Sequence, residues 1–247
     1  MKDNRILKKT LLHTLRDITI FVVLLGLVLG GAALWNELRQ AAAAEHEMPA
    51  LPNTQEDDSE PRVDFDGLRR EAPGAVAWIT VPETLIDYPV VQHTDNQYFV
   101  NRTARHEHSR FGAIFMDYRN CSGLSDFYTV LYGHNMRSGR MFGDLQQFQN
   151  ADFFNRVRYG ALQAPDARYR LQFFAFVLAD AASEYYNNLF FLLPGEREAF
   201  IGMIKETASL WRDIPLGPED RIVALSTCYA SPTGSERMLL LGKLIEQ

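Results

Sequence analysis

The stretch IVALSTC, Ile222–Cys228, alternates two kinds of side chain and ends on a cysteine. The two-residue period of a β-strand places Ala224, Ser226 and Cys228 on one face and Thr227 on the other. The stretch therefore predicts a strand with a thiol at its tip.

Four other short runs rich in β-branched or aromatic residues are bounded by Gly, Pro, Asp or Asn, as strands commonly are. They are VAWITV (Val76–Val81), FYTVLY (Phe127–Tyr132), YRLQFFAFVL (Tyr169–Leu178) and MLLLGKLI (Met238–Ile245). Helices are predicted over Phe65–Glu71 and Glu196–Trp211, and irregular loops over much of Val91–Gly123. The pattern predicts a mainly β fold, most economically a closed or nearly closed barrel with one long helix-containing connection.

The composition fits a folded protein. The 247 residues are 47% hydrophobic and 23% charged, with a formal net charge of −6, which argues against a nucleic-acid partner. The two cysteines are too few for a disulfide-rich scaffold and fit no CxxC metal spacing. If either cysteine has a function, it acts as a thiol.

The N-terminal part predicts a membrane anchor. Ile18–Trp35 carries no charge and, at about 1.5 Å per residue, reaches roughly 27 Å as a helix. Five basic residues precede it, so the positive-inside rule predicts a cytoplasmic segment over 1–17, a single transmembrane helix over 18–35 and an extracellular remainder. The alternative is a cleaved secretory signal. The acidic, proline-interrupted segment 36–61 predicts a flexible stalk, although a helical continuation through its alanines is equally allowed. Residues 62–247 are predicted to form one catalytic domain.

Two further residues are predicted to lie close to Cys228. His134 follows the FYTVLY run after Gly133, and Arg237 opens the final strand nine residues after Cys228. All three groups are predicted to meet at one end of a barrel. From the residues alone the alternatives stay open, because a packing cysteine, a loop histidine and an edge arginine are each common.

Other reactive residues have weaker signals. The sequence holds no phosphate loop, paired zinc ligands or GxSxG elbow, and His106-Glu107-His108 resembles a solvated loop more than a metal site. No metal or organic cofactor is implied. Cys121, in a turn-like RNCSG, is predicted to be a bystander, since a disulfide to Cys228 would silence the proposed nucleophile.

Three ordered strings resemble the sortases, membrane-anchored transpeptidases of Gram-positive bacteria. They are Tyr132-Gly133-His134-Asn135-Met136, Leu225-Ser226-Thr227-Cys228, and Glu236-Arg237 before an apolar strand. The segments Tyr88–Gln92 with Asp95-Asn96, Phe111–Asp117 and Met141–Leu145, with a long helical insertion before the cysteine strand, are similar to class B. The resemblance covers roughly Phe65 to the C-terminus and the N-terminal anchor.

The resemblance implies an eight-stranded sortase-type barrel and a two-step acyl transfer. In that scheme Cys228 is the nucleophile, His134 the proton donor and acceptor, and Arg237 the cation that holds the substrate backbone and stabilises the oxyanion. The implied substrate is the sorting-signal peptide of a secreted surface protein, cleaved after Thr. An Asn-Pro-x-Thr-Asn-like or Pro-x-Thr-Gly pentapeptide is suggested, and a peptidoglycan-precursor amine resolves the acyl-enzyme.

Substrate contacts are less well marked. Asn96 matches a position that contacts substrate in class B relatives, and Ser226 and Thr227 flank the cysteine. Tyr185 and Tyr186 lie in the connection where the family's groove wall forms. Ordinary strand or core packing is the alternative for the last four residues.

Three functional hypotheses follow. The first is a class B sortase that attaches surface proteins to peptidoglycan. The second keeps the chemistry and uses a pilin lysine as the acceptor. The third is a catalytically silent, membrane-tethered β-domain that binds a wall component; the complete set of His134, Cys228 and Arg237 argues against it. Simple proteolysis, with water capturing the acyl group, is a further outcome of the same chemistry.

Overall fold

The computed structural model describes residues 62–228 and 235–247, together with helical positions between Thr19 and Trp35. The chain divides into two compact units, residues 1–48 and 49–247. In the first unit the described positions are helical and exposed. The predicted cytoplasmic segment 1–17 and the predicted stalk 36–61 lie outside the described residues.

The predicted membrane-anchored localisation is corrected by the structure. A spanning helix needs about 20 predominantly apolar residues. Among the helices formed by the described residues, none has both the length and the apolar character to cross a bilayer. The single-pass arrangement predicted for Ile18–Trp35, with an extracellular catalytic domain, is therefore contradicted.

The described part of the second unit is built on nine strands. They are β1 (Ala75–Thr80), β2 (Asp87–Val91), β3 (Ile114–Met116), β4 (Tyr128–Tyr132), β5 (Tyr159–Gln163), β6 (Arg168–Asp180), β7 (Leu210–Trp211), β8 (Arg221–Cys228) and β9 (Glu236–Glu246). Hydrogen bonding follows the order β5-β1-β2-β3-β4-β8-β9-β6, and a β5–β6 pairing closes the ring. The predicted eight-stranded barrel is confirmed.

Strand β6 changes partner along one edge. Its first half, Arg168–Gln172, pairs with β5, and Ala175 and Phe176 pair with the two-residue β7. The register against β9 shifts between Phe173 and Ala175. A bulge at this point bends the strand, so β6 closes the barrel at one end and supports the insertion at the other.

The apolar residues form an interior and an exterior layer. Every strand of the barrel contributes to one buried cluster, represented by Ile79, Leu131 and Leu225, which fills the interior. Alternate residues, including Val130 and Ala224, form a second buried cluster on the outside. Strands β4 and β8 are thus buried on both faces over 128–131 and 222–225, which agrees with the continuous apolar run Ile222–Leu225.

The described second unit also contains four α-helices and two 3₁₀ helices. They are α1 (Phe65–Glu71), α2 (Ala151–Arg156), α3 (Glu184–Asn187) and α4 (Pro194–Thr207), with 3₁₀ turns at Tyr98–Val100 and Gly143–Gln149. Helix α1 has the predicted bounds, because the Asp64 carboxylate caps its start by accepting hydrogen bonds from the backbone N–H groups of Asp66 and Gly67.

Helix α4 differs from the predicted Glu196–Trp211. It begins at Pro194, where the Glu196 carboxylate accepts backbone hydrogen bonds from Leu192 and Leu193. It ends at Thr207, because the chain then pairs with β6 and Trp211 becomes part of β7. Tertiary strand pairing therefore overrides the helical spacing at the C-terminal end.

Four strands have no counterpart in the sequence prediction. Strand β2 contains Pro89, β3 has only three residues within the predicted loop region, and β7 has two. Strand β5 carries Gly160 and alternates between buried positions and positions that are exposed or half-buried. These strands are held by their neighbours in the barrel rather than by strong local propensity.

Replacing Phe200 with Ala tests how α4 is attached to the barrel. The Phe200 ring lies 4.7 Å from the Tyr128 ring and 4.6 Å from the Phe191 ring, centroid to centroid, and is buried. Loss of such a ring is expected to lower the free energy of unfolding by about 3–5 kcal/mol, measured by urea denaturation. Glu198→Ala, on the exposed face of the same helix, is the control and is expected to change it by less than about 0.5 kcal/mol. Equal losses would contradict this packing.

Candidate active site

Three adjacent strands bring the predicted catalytic residues to one end of the barrel. Strands β4 and β8 are parallel with Tyr132 opposite Ser226, and β8 and β9 are antiparallel with Cys228 opposite Arg237. The Gly133 N–H donates to the Ser226 carbonyl at 3.1 Å, which extends the first pairing by one step. His134 therefore follows β4 at the level where Cys228 ends β8 and Arg237 enters β9.

A pocket of about 480 Å³ opens at this end. Six of the sequence-predicted site residues line it: Asn96, Tyr186, His134, Ser226, Thr227 and Arg237. Its other lining residues are Gln97, Val100, Phe115, Arg119, Tyr132, Gly133, Ala181 and Asn187. Among the described residues the lining has three basic groups and no carboxylate, an electrostatic setting that favours a thiolate and substrate carbonyl oxygens.

His134 is held by the backbone of the loop after β2. Its Nε2 lies 2.7 Å from the carbonyl oxygen of Val100. A carbonyl only accepts hydrogen bonds, so we assign the proton of the neutral ring to Nε2. Nδ1 is then the acceptor nitrogen of the neutral ring.

Arg237 presents its guanidinium to the same pocket. Its Nη1 donates to the Glu236 carbonyl at 3.0 Å, which ties the side chain to the start of β9. A guanidinium stays protonated throughout the physiological range and offers donors only. The group suits the binding of substrate carbonyl oxygens or a developing oxyanion and is unsuited to act as a base.

Tyr185 and Tyr186 are adjacent on α3 but lie in different surroundings. The Tyr186 hydroxyl is hydrogen-bonded to Ser226 Oγ at 2.8 Å, and its ring stacks on Tyr132 at a centroid distance of 6.3 Å. The Tyr185 ring is buried in the exterior cluster, and its hydroxyl bonds Thr207 Oγ1 at 2.6 Å. Tyr186 forms a wall of the pocket, whereas Tyr185 is absent from the lining.

Thr227 carries a buried hydroxyl in the pocket lining. Its side chain is 2% exposed, and its Oγ1 has no hydrogen-bond partner among the described residues. An unsatisfied buried hydroxyl is unfavourable by about 1–3 kcal/mol. A peptide group that reaches this hydroxyl would relieve that cost.

Sequence reasoning missed the buried carboxylate beneath the pocket. Asp117, directly after β3, is fully buried and accepts hydrogen bonds from Arg119, Asn96 and Tyr132. Burial acts to raise the pKa of Asp117, but the bonds from Arg119, Asn96 and Tyr132 outweigh it and hold the pKa below its usual value. Burial, followed by the charge of Asp117, raises the pKa of Tyr132 far above its usual value. The available signal was a charged residue immediately after the apolar run Ile114–Met116.

The weaker candidates lie elsewhere. Cys121 is a free, exposed thiol outside the pocket lining, and hydrogen bonds from Ser125 and the Gly123 backbone lower its pKa. His106 uses both ring nitrogens within the protein, Nδ1 with the Tyr98 hydroxyl at 2.9 Å and Nε2 with the Pro73 carbonyl at 2.8 Å. Neither residue belongs to the pocket.

Comparison with known families agrees with this geometry. A family model described as the sortase domain matches residues 79–245, most of the second unit. The chain belongs to the sortase family, a family of cysteine transpeptidases. Because the chain belongs to this family, the enzyme hypothesis is preferred to that of a catalytically silent binding domain.

Its relatives place it in class B. Sortase B of Listeria monocytogenes is 32% identical over 187 residues, which cover 75% of this chain and 76% of that protein. A Staphylococcus aureus sortase B–substrate complex is similar at 28% identity and a TM-score of 0.69, covering 74% of this chain and 84% of that one. A Streptococcus pyogenes class B sortase involved in pilus biogenesis is similar at 32% identity and a TM-score of 0.66, covering 74% and 98%. The chain is a class B sortase.

Gly133→Ala tests the close packing that precedes His134. A Cβ at this position would lie 2.8 Å from ring carbons of Phe142 and closer still to Ile114 Cδ1. The overpacking is expected to lower the free energy of unfolding by about 1–3 kcal/mol, measured by urea denaturation. Gly123→Ala is the control, since its nearest neighbour, Cys121 Sγ, lies at an ordinary 3.8 Å. A Gly133→Ala protein as stable as the control would refute the tight packing.

Proposed function

We propose that this sortase cleaves a C-terminal sorting signal after its Thr and transfers the acyl group to an amine of a peptidoglycan precursor. The observation that carries the proposal is the shared pocket of His134 and Arg237 at the strand end where Cys228 pairs with Arg237. Three strands supply a nucleophile, a proton carrier and a fixed cation. The second substrate is an amine because the family transfers rather than only hydrolyses.

The first step forms a thioester. A free thiol has a pKa near 8.5 and is only a few per cent thiolate at neutral pH, and the cationic surroundings increase that fraction. The Cys228 thiolate attacks the carbonyl carbon of the Thr residue, and the carbonyl electron pair moves to oxygen. Arg237 stabilises the resulting oxyanion through its donors.

His134 supplies the proton that releases the leaving group. As the tetrahedral intermediate collapses, the C–N bond breaks and the amine takes a proton from the His134 imidazolium. Because Nε2–H is held by Val100, the proton leaves from Nδ1. The C-terminal part of the sorting signal departs as a free amine, and the acyl group remains on sulfur.

The second step reverses these roles. An incoming amine attacks the thioester carbonyl, His134 takes its proton at Nδ1, and the C–S bond breaks to regenerate the Cys228 thiolate. The product is a new amide, so the energy of the first peptide bond is retained in the second. Water in place of the amine gives simple proteolysis.

The groove residues are proposed to bind the peptide that precedes the scissile bond. Asn96, Ser226 and Thr227 offer polar groups to its backbone and side chains, and Tyr186 supplies an aromatic wall. The similar Staphylococcus aureus structure is a complex with substrate, which supports a peptide in this groove. Tyr185 is left out of the proposed binding set because its hydroxyl and ring are engaged in the core.

A pilin lysine is the alternative acceptor. The similarity to a Streptococcus pyogenes class B sortase involved in pilus biogenesis favours this second function. Both acceptors present a primary amine, so the first half-reaction is the same. The two proposals differ only in which amine captures the thioester.

Mass spectrometry of the full chain tests the proposal. A Cys121→Ser background removes the second of the two thiols, so that any thioester must form on Cys228. Incubation with Thr-containing sorting peptides is expected to give a thioester on Cys228. Triglycine, representing the wall precursor, or a lysine-bearing pilin peptide is then expected to discharge it.

The outcomes separate the hypotheses. Discharge by triglycine supports wall attachment, and discharge by the pilin peptide alone supports polymerisation. Faster loss to water than to either amine would make the protein a protease. Absence of an adduct with every Asn-Pro-x-Thr-Asn-like and Pro-x-Thr-Gly peptide would reject the proposed substrate class.

Single substitutions test the assigned roles. We expect Cys228→Ala to abolish turnover, His134→Ala to lower kcat/KM by roughly 10²–10⁴-fold and Arg237→Ala by roughly 10²–10³-fold, with the fold retained. Steady-state kinetics of peptide cleavage measure the change, and circular dichroism checks the fold. Cys121→Ser is the matched cysteine control and should retain near wild-type activity. Turnover by Cys228→Ala would refute the mechanism.

A further inference from the structure

The Asp117 carboxylate lies under the pocket without lining it. Its side chain has no solvent exposure and accepts five hydrogen bonds. Three come from Arg119: Nε at 2.9 Å to one oxygen, Nη2 at 2.9 Å to the other, and the backbone N–H at 2.9 Å. Asn96 Nδ2 at 2.8 Å and the Tyr132 hydroxyl at 2.9 Å complete the set.

The partners of this carboxylate come from separate sides of the groove. Asn96 belongs to the loop after β2, Tyr132 ends β4, and Arg119 follows β3. All three side chains line the pocket. Arg119 Nη2 also donates to the Tyr186 carbonyl at 2.9 Å, so the same network extends to the wall formed by α3.

The network also extends toward His134. Asn96 is fixed at both ends of its amide, because its Oδ1 accepts from the Tyr118 N–H at 2.9 Å. The next residues form the 3₁₀ turn Tyr98–Val100, and the Val100 carbonyl accepts from His134 Nε2. One buried charge thus stabilises the loop that orients the proposed proton carrier.

Acid–base chemistry is not the role of this residue. A carboxylate with five donors and a lowered pKa is ionised and saturated at neutral pH. Its bidentate pairing with Arg119 is a strong, directional arrangement, and an amide in its place would offer one acceptor oxygen and a donor group facing a guanidinium. The charge is therefore required to keep the surrounding donors in one arrangement.

The side chain and the backbone of Asp117 have separate tasks. The Asp117 carbonyl accepts from the Asn120 N–H at 3.0 Å and from Gln92 Nε2 at 2.9 Å, and its N–H donates to Val130 at 2.9 Å. These bonds hold the turn after β3 and survive a side-chain substitution. Among the described residues, the carboxylate accepts its hydrogen bonds from Arg119, Asn96 and Tyr132, which line the groove.

We propose that Asp117 is a positioning residue of the transpeptidation reaction, which holds Asn96, Tyr132 and, through Arg119, Tyr186 in the arrangement that receives the sorting peptide. The inference rests on the proposed function of this groove. The buried Asp117 carboxylate sets the relative positions of three groove segments that are far apart in sequence. The residue acts on the peptide through these partners and does not touch it.

Asp117→Asn tests the inference in the Cys121→Ser background. We expect kcat/KM for peptide cleavage to fall by about 100-fold, mainly through KM, because misplacement of groups around a substrate has effects of that size. Alkylation of Cys228 by iodoacetamide needs no peptide groove and is expected to stay within about two-fold of the parent rate. If Asp117 served stability alone, its substitution would change the rates of peptide cleavage and of Cys228 alkylation to the same extent.

Asp126→Asn is the matched control. The Asp126 carboxylate accepts from Asn120 Nδ2 at 3.0 Å and from the Cys121 N–H at 2.6 Å, so it belongs to the same turn. Neither partner lines the pocket. The control is expected to leave KM unchanged, and an equal rise of KM in both variants would overturn the inference.

Hydrogen exchange gives a second readout that needs no catalysis. Asp117→Asn is expected to speed amide exchange in residues 95–100 and 184–188 and to leave α4 unchanged. If the parent protein forms no thioester, the proposed function fails, and the exchange pattern alone decides the inference. Uniform or unchanged exchange would overturn it. If Asp117→Asn does not fold, Arg119→Lys keeps the charge, removes the bidentate fork and is expected to give the same pattern of changes.

Discussion

The parallel pairing of β4 with β8 is the constraint on which the site depends. Parallel strands place their C-terminal ends at the same edge of a sheet. Strand β9 runs antiparallel to β8, so it begins at the edge where β8 ends. A residue after β4, a residue at the end of β8 and a residue at the start of β9 therefore meet, whatever the length of chain between them.

The same pairing explains the long connection that precedes the cysteine strand. A parallel partner requires the chain to return to the other end of the barrel, and the segment between β4 and β8 holds β5–β7 and α2–α4. Part of this segment closes the barrel through β5 and β6. The remainder covers the exterior face of β4 and β8 with α4 and supplies Tyr186 to the groove.

The charged groups of the site lie in two places, in the pocket lining and in the buried layer behind it. The pocket itself is lined by Arg119, His134 and Arg237, whereas Asp117 does not line it, is buried and is paired with Arg119. This arrangement keeps negative charge away from a thiolate and an oxyanion but still uses a charge to order the walls. A positive groove over a neutralised ion pair suits acyl transfer to sulfur.

The sequence by itself determined the mainly β class, the five long apolar strands and the order His134, Cys228, Arg237, because alternation and strand-end position are local properties. The resemblance of the short motifs to the sortases then predicted the eight-stranded barrel and the acyl-transfer chemistry. Only the tertiary structure decided where α4 ends, which short strands close the ring, that Tyr186 rather than Tyr185 faces the groove, and that Asp117 orders it. Those features depend on hydrogen bonds and packing between segments distant in the chain, which local residue patterns do not specify. Even for Asp117, the charged residue after the apolar run Ile114–Met116, the local pattern does not identify the hydrogen-bond partners.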